Sequence, residues 1–204
     1  MITRRGMLVV VSAPSGAGKT TLCREVLRFL PDLSYSVSYT TRAPRAGEVD
    51  GTDFYFVTES AFDDLREAGG FAEWARVHGN LYGTHAGAIE RFLADGRDIL
   101  LDIDTQGARQ LRARYPEAVL IFIIAPSMAE LEQRLRERAS DAGDEIARRL
   151  VRARQEISLW RQYDYLIVNR DVKDAVEQLA TVIQAERCRT GRLSLAMPDL
   201  EVRS

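Results

Sequence analysis

Residues 8–22 read LVVVSAPSGAGKTTL, and this stretch decides the fold class of the 204-residue chain. Leu8 to Val11 form a continuous apolar run rich in β-branched residues, which is typical of a strand buried on both faces of a parallel sheet. A glycine-rich loop follows, and a helical stretch from Lys19 continues to about Leu30, where Pro31 stops it. Strand, glycine loop and helix in this order form the context that a phosphate-binding loop requires.

The loop matches the pattern G-x4-G-K-S/T at every fixed position except the first, where Ala13 replaces glycine. We expect its backbone N–H groups to surround nucleotide phosphates, with Lys19 on the β- and γ-oxygens and the Thr20 hydroxyl on Mg²⁺. An ordinary turn rich in glycine and serine would explain the composition but not the position after a buried strand. The predicted ATP-binding residues here are Ala13, Pro14, Ser15, Gly16, Ala17, Gly18, Lys19, Thr20 and Thr21.

The rest of the chain alternates buried-strand runs with helical stretches. The strand runs are Ile99–Leu101, Val119–Ile124 and Tyr165–Val168, and the helical stretches lie around Gln106–Arg114 and Val172–Arg187. This alternation predicts an α/β fold with a mostly parallel sheet flanked by helices, in a single domain covering residues 1–204.

Two regions interrupt the alternation. Residues 33–96 carry short alternating runs cut by glycine turns, which predicts an inserted region of mixed β structure. Residues 131–160 are crowded with arginines on two helix-like stretches, which predicts a hinged helical lid. We expect residues 190–204 to form a frayed tail.

Asp102 follows the apolar run Ile99–Leu101, at the carboxyl end of a predicted strand. Ligands of open α/β sheets bind outside this end of the strands. Asp102 is therefore a candidate Mg²⁺ ligand, directly or through water. The alternative is a carboxylate that caps the next helix.

Composition limits the classes of partner. The net charge of −2 gives no reason to expect a nucleic-acid or anionic membrane surface. The apolar run Met7–Val11 is shorter than the roughly 7–15 residues of a signal sequence, so we expect a cytoplasmic protein without a membrane segment. Cys23 and Cys188 lie far apart and indicate no disulfide framework. Nothing in the sequence specifies an oligomeric state.

Five segments together resemble the guanylate kinase family, over Met7 to about Arg189. They read SAPSGAGKTTL, SVSYTTRAPRAGEVDGTDFYFV, FAEWARVHGNLYGT, LLDIDTQGA and YDYLIVN. The resemblance implies a P-loop nucleoside monophosphate kinase that moves the γ-phosphoryl group of ATP to GMP, and to dGMP, with Mg²⁺. It also implies that residues 33–96 bind GMP and that residues 131–160 form the lid.

The resemblance assigns Arg42, Arg45 and Tyr82 to the phosphate of GMP. Arginine suits this role because its planar fork donates two hydrogen bonds to one phosphate. A solvated loop is the alternative for the arginine pair. A tyrosine of the family that contacts the phosphate aligns with Phe54, so its hydrogen bond is either absent or supplied by a neighbour such as Tyr55.

Glu73 and Asp104 match the carboxylates that the family uses for guanine, with Ser38 and Thr84 as hydroxyl partners. Guanine presents N1–H and an exocyclic amine as adjacent donors, whereas adenine presents a bare N1 acceptor. A carboxylate therefore accepts from guanine and repels adenine. Without the resemblance, Glu73 would be interpreted as a surface residue, and Asp104 as the start of a helix.

The family's lid arginines match Arg138 and Arg149, and a position near the adenine of ATP matches Asn169. Such arginines would neutralise charge and exclude water without a general base, since the acceptor phosphate is already anionic. A solvated helix face is the alternative for the two arginines, and a turn is the alternative for Asn169. The catalytic residues predicted in this way are Lys19, Arg42, Arg138 and Arg149.

Two other functions would share parts of these motifs. A related kinase acting on another monophosphate or on a ribose bisphosphate would not require the four residues that match guanine-binding positions, namely Ser38, Glu73, Thr84 and Asp104. A catalytically inactive protein-interaction module of the same fold would bind phosphorylated peptides at the acceptor site, but such modules typically lack a working phosphate loop. This chain retains Lys19 and Thr20.

Overall fold

The structure is a computed structural model that describes residues 2–77, 79–138 and 143–195. The strands are β1 (Ile2–Arg4), β2 (Leu8–Ser12), β3 (Leu33–Tyr35), β4 (Tyr39–Thr40), β5 (Tyr55–Phe56), β6 (Phe71–Val77), β7 (Asn80–His85), β8 (Asp98–Asp102), β9 (Val119–Ile124), β10 (Tyr165–Val168) and β11 (Leu193–Leu195). The α-helices are α1 (Lys19–Phe29), α2 (Glu59–Glu67), α3 (Ala86–Ala94), α4 (Thr105–Arg114), α5 (Met128–Arg138), α6 (Gly143–Ser158) and α7 (Val172–Arg187).

A five-stranded parallel sheet forms the centre of the molecule, in the order β10-β9-β2-β8-β3. Every residue of β2 is buried, as the continuous apolar run predicted. Helices cover both faces of the sheet. Leu22 of α1 and Leu179 of α7 pack on one face, and Ile89 of α3 and Leu111 of α4 pack on the other. The predicted α/β fold with a mostly parallel sheet is confirmed.

A second, four-stranded sheet has the order β5-β4-β7-β6 and mixes parallel with antiparallel pairs. It has a small core of its own, in which Phe62 of α2 stacks on Phe71 with 4.4 Å between ring centroids. This is the mixed β structure expected within residues 33–96. The first strand of that range, β3, nevertheless pairs with β8 in the central sheet. Leu33 is buried beside α1 in the core of the central sheet. The second sheet begins at Tyr39.

The carboxyl-terminal segment departs from the expected frayed tail. Leu193–Leu195 pairs antiparallel with Ile2–Arg4, and this pairing holds the short Leu-Ser-Leu segment as a strand. Residues 196–204 lie outside the described part of the chain. Within the described residues, none of the helices is long and apolar enough to cross a membrane.

Candidate active site

The phosphate loop joins β2 to α1, as predicted. Gly18 caps the start of α1 with a φ of +93°, a backbone conformation that residues with a side chain rarely adopt. A Cβ atom at this position would lie only 2.4 Å from the side-chain nitrogen of Asn169. The loop therefore requires glycine at position 18 both for its turn and for the close approach of Asn169.

Asn169 follows the last strand of the central sheet and is buried. Its Nδ2 donates a hydrogen bond of 2.8 Å to the main-chain oxygen of Ala17. Its own main-chain oxygen accepts from Arg134 of α5 at 3.0 Å. The resemblance placed Asn169 near the adenine of ATP, and the structure places its side chain behind the phosphate loop, where it supports the loop backbone.

Lys19, Thr20 and Asp102 meet at the carboxyl edge of the sheet. Lys19 Nζ forms an ion pair with Asp102 and donates to the main-chain oxygen of Ile103 at 3.0 Å. Thr20 Oγ1 lies 3.2 Å from Asp102 Oδ2. Burial alone would lower the pKa of Lys19, but the negative charge and hydrogen bond of Asp102 outweigh it and raise the pKa. Lys19 therefore carries its charge at neutral pH.

The donors at this edge fit Mg²⁺. Among the described residues there is no cluster of three or more histidine, cysteine or acidic side chains that would form a cage for a metal ion. Mg²⁺ does not need such a cage, because it binds through one or two protein oxygens together with phosphate and water. The adjacent hydroxyl of Thr20 and carboxylate of Asp102 supply oxygens of this kind. Asp102 does not cap the next helix, since Asp104 occupies that position.

A cleft of about 820 Å³ opens between the central sheet and the second sheet. It brings together residues from both sides that the sequence assigned to ATP, Mg²⁺ and GMP, namely Lys19, Thr20, Ser38, Arg42, Arg45, Glu73, Tyr82, Asp102 and Asp104. Donor and acceptor residues therefore share one continuous space.

Glu73 lies at the buried end of this cleft. Its side chain is not on the surface, because Glu73, Ala75 and Val77 alternate along one face of β6 and all three line the cleft. Only 4% of Glu73 is exposed, and Thr84 Oγ1 donates to its Oε1 at 2.6 Å. Burial raises the pKa of Glu73 to about 7, although the Thr84 hydrogen bond works in the opposite direction.

The hydroxyl groups beside Glu73 form a short series. Thr84 is fully buried behind the carboxylate, and its Oγ1 lies 3.4 Å from Ser38 Oγ. Ser38 lines the cleft. The structure therefore places Ser38 toward a ligand and Thr84 against Glu73, so that Thr84 orients the carboxylate.

Asp104 is the helix start that the sequence left open as the alternative to a guanine carboxylate. Its Oδ1 accepts from the Gly107 N–H at 2.9 Å, which caps α4, and its Oδ2 accepts from Gln106 at 3.1 Å. Asp104 also lines the cleft. Capping fixes the side chain at the wall of the cleft.

The opposite end of the cleft carries Arg42 and Arg45. Arg42 donates to both carboxylate oxygens of Glu48, through Nη1 and Nη2, with both distances 2.9 Å. The backbone N–H of Arg45 donates to the same carboxylate at 2.7 Å. These bonds, that from Arg42 first, hold the pKa of Glu48 below its usual value. The arginine pair is thus partly ordered by an acidic residue.

A sequence profile described as Guanylate kinase matches residues 5–186. The chain belongs to the guanylate kinase family. A guanylate kinase of Syntrophotalea carbinolica is 53% identical over 190 residues, which are 93% of this chain and 90% of the relative. A guanylate kinase of Geobacter metallireducens is 54% identical over 190 residues, with 93% and 94% covered. The crystal structure of guanylate kinase from Anaplasma phagocytophilum has a TM-score of 0.79 and 35% identity, covering 94% of this chain and 92% of that one.

The region predicted to form the lid, residues 131–160, contains most of α5 and all of α6. Arg149 of α6 donates from Nη2 to Ser15 Oγ of the phosphate loop at 2.7 Å, which places it at the donor end. Leu131 and Leu135 of α5 are buried against the same loop region. Arg138 is the last residue of α5, and its side chain lies outside the described part of the structure, as do residues 139–142.

Sequence reasoning gave no site role to three residues that contact the predicted site residues. Glu48 orients Arg42, Phe54 lies under the Arg42 guanidinium at 5.4 Å, and Gly107 adjoins Glu73. Tyr55 packs on Tyr39 at 4.7 Å instead of joining Phe54 among the described cleft residues. Phe54 therefore contacts the Arg42 guanidinium through its ring face, at the position that the resemblance aligned with a tyrosine.

Proposed function

We propose that the protein transfers the γ-phosphoryl group of ATP to GMP, and to dGMP, and releases ADP and GDP. The observation that carries this proposal is the single cleft that joins Lys19 and Thr20 at one side to the buried carboxylate of Glu73 at the other. A phosphate loop alone is compatible with many nucleotide-binding proteins. The buried carboxylate selects the acceptor.

The guanine base is bound at the end that Glu73 and Asp104 form. The ionised carboxylate of Glu73 accepts from the N1–H and exocyclic amine of guanine, and Ser38 donates to O6. Adenine would place its bare N1 against the same carboxylate and would leave a buried charge without a partner. This arrangement supports a discrimination of roughly 10⁴ between the two bases.

The phosphate of GMP is bound at the other end, by Arg42, Arg45 and Tyr82. Glu48 engages Nη1 and one hydrogen of Nη2, and the main-chain oxygen of Ala43 takes a second bond from Nη1 at 2.7 Å. A guanidinium has five N–H donors, and Glu48 and Ala43 leave Nε–H and the second Nη2–H of Arg42 along one edge, with the Tyr82 hydroxyl within reach of the guanidinium. That edge matches two oxygens of a phosphate.

Phosphoryl transfer then depends on position and charge. The acceptor phosphate is already anionic near neutral pH, with a second pKa of about 6, so it needs no general base. Lys19 neutralises the β- and γ-phosphate oxygens, and Arg149 and Arg138 of the lid close over the transferred group and exclude water. Thr20 and Asp102 would hold Mg²⁺, directly or through water, and the bound ion would supply charge neutralisation at the phosphates.

The substrates are thus two nucleotides and a divalent cation, and we place the reaction in the cytoplasm, in purine nucleotide metabolism. The purified protein, given Mg·ATP and separately GMP, dGMP, AMP, CMP, UMP and dTMP, should form ADP and a diphosphate only with GMP and dGMP. Rapid transfer to another base would contradict the assignment of Glu73. The absence of transfer to every acceptor would contradict the kinase assignment itself.

A further inference from the structure

Gly107 occupies a position that its own backbone does not explain. It is buried in the first turn of α4, and its φ lies outside the left-handed region that favours glycine. Glycine inside a helix costs roughly 1 kcal/mol relative to alanine. Local structure therefore favours alanine at this position, and the reason for glycine must lie in a neighbouring part of the molecule.

The neighbour is Glu73. A Cβ atom on Gly107 would lie 2.4 Å from Glu73 Oε2 and 3.0 Å from its Cδ, and the next neighbour, Ile103 Cδ1, would lie less tightly at 3.2 Å. Ordinary contact of a Cβ atom begins at 3.4 Å, so the carboxylate would have to move by the difference between 2.4 Å and 3.4 Å. The carboxylate occupies the space that a side chain at position 107 would fill.

The surrounding contacts prevent a simple retreat of the strand. One turn further along α4, Gln110 Nε2 donates to the main-chain oxygen of Trp74 at 2.7 Å, and its Oε1 accepts from the Trp74 N–H at 3.2 Å. These two bonds fasten α4 to the free edge of β6. Thr84 holds the other oxygen of Glu73. An added methyl group would consequently displace the carboxylate and leave the helix and the strand in place.

We propose that Gly107 is a positioning residue that determines specificity for guanine. Because glycine has no side chain, it leaves the space that the Glu73 carboxylate occupies, and this space sets the position of the carboxylate in the cleft. This inference rests on the proposed function of Glu73. The same glycine also supplies the N–H that fixes Asp104, so one turn of α4 aligns both carboxylates of the base end. A side chain at position 107 would shift the Glu73 carboxylate relative to Asp104, and Glu73 would no longer accept hydrogen bonds from the guanine edge.

The test is Gly107→Ala in the full-length protein. Displacement by about 1 Å should lower kcat/KM for GMP roughly 10- to 100-fold, mainly through KM, with KM for ATP unchanged. Gly191→Ala is the matched control, since a Cβ there meets nothing within 4 Å and its φ also lies outside the left-handed region. Its kinetics should equal those of the wild type.

A double-mutant cycle with Glu73→Ala separates this inference from the proposed function. We expect Glu73→Ala to lower GMP kcat/KM and Gly107→Ala to add no further loss in that background. If Glu73→Ala has no effect on GMP, the proposed function of Glu73 is wrong. If the two losses multiply, or Gly107→Ala has no effect alone, the role of Gly107 is wrong.

Glu73→Asp combined with Gly107→Ala supplies the rescue. The shorter carboxylate leaves room for the methyl group, so the double variant should use GMP better than Gly107→Ala alone. If Gly107→Ala fails to fold, the same four variants are compared by their folding instead of their kinetics. Circular dichroism and thermal melting measure it. Recovery of folding by Glu73→Ala supports the steric account, and failure in both backgrounds overturns it.

Discussion

The donor loop and the acceptor cleft are built in opposite ways. The donor loop consists of consecutive residues, Ala13 to Thr21, and its shape depends on glycines and on a hydrogen bond from the Asn169 side chain to the main-chain oxygen of Ala17. The acceptor cleft draws its side chains from β6, β7, the start of α4 and the segments on both sides of β4. A site formed by the backbone of consecutive residues can be recognised from one short sequence motif. A site formed by side chains from distant segments is assembled only when the chain folds.

The two regions also differ in what surrounds their charged side chains. At the base end, Glu73 is buried and hydrogen-bonded to Thr84 before any ligand arrives. At the phosphate end, Arg42 is held by the partly exposed Glu48, in an ion pair that solvent screens. The base end should therefore govern which nucleotide binds, and the arginines should govern how tightly its phosphate is held.

The largest expected effect lies in the donor loop. Lys19→Ala removes the only described cation that contacts Asp102, and kcat should fall about 10³-fold or more because charge stabilisation at the transferred group is lost. KM for GMP should change little. Lys173→Ala, at an exposed position of α7, is the control and should retain the wild-type rate. Steady-state kinetics with both substrates varied measure the effect, and a Lys19→Ala enzyme with normal kcat would break the assignment of the loop.

A smaller effect is expected at the phosphate end. Arg42→Lys keeps the charge but loses the fork, so KM for GMP should rise about 10- to 100-fold with KM for ATP unchanged. Arg28→Lys, in an exposed helical ion pair with Glu25, is the matched control. Initial rates over a range of GMP concentrations decide the question. An equal rise in KM for both nucleotides would show that Arg42 does not act at the acceptor end alone.

The smallest effect concerns pH at the base end. Because burial raises the pKa of Glu73 to about 7, the ligand-free carboxyl is largely neutral below that pH and cannot accept from both guanine donors. Competitive inhibition by guanosine, which lacks the titrating phosphate, should strengthen about tenfold from roughly pH 6 to roughly pH 8. Glu73→Gln should remove this dependence. A wild-type inhibition constant that does not change with pH would contradict an elevated pKa.

The same pKa has a consequence for stability. The pKa of Glu73 is higher in the folded state than the roughly 4.3 of an unfolded glutamate. The folded state therefore binds the proton more tightly, and this contribution to stability is fully present below about pH 4.3. This stability is lost as pH rises toward about 7. Relative to Glu73→Gln, the wild type should therefore lose thermal stability between about pH 4.3 and 7.

Sequence alone accounts for most of the central sheet. Val119–Ile124 and Tyr165–Val168 were read with the bounds that the structure shows, since a strand buried on both faces requires a continuous apolar run. Leu33–Tyr35 was grouped with the insertion because its alternation resembled the strands that follow. Its partner, β8, lies more than sixty residues further on, and a local pattern does not specify such pairing. Leu193–Leu195 was missed for the same reason.

The candidate site divides along the same line. The phosphate loop follows from its motif, and Asp102 follows from its place at the end of a strand. Glu73 was assigned through family resemblance, although the alternation of Glu73, Ala75 and Val77 already indicated a carboxylate on an apolar face. No local sequence pattern indicates the role of Gly107, because the side chain that it contacts, Glu73, is 34 positions earlier in the sequence.

The most direct test of the account compares GMP with inosine monophosphate, which retains N1–H and O6 but lacks the exocyclic amine. Losing one hydrogen bond to a charged acceptor should make kcat/KM of the wild type about 10- to 100-fold lower for inosine monophosphate. In Glu73→Gln the ratio should collapse toward unity, chiefly through loss of GMP use. An undiminished ratio in the variant would show that Glu73 does not recognise guanine and would contradict the central claim.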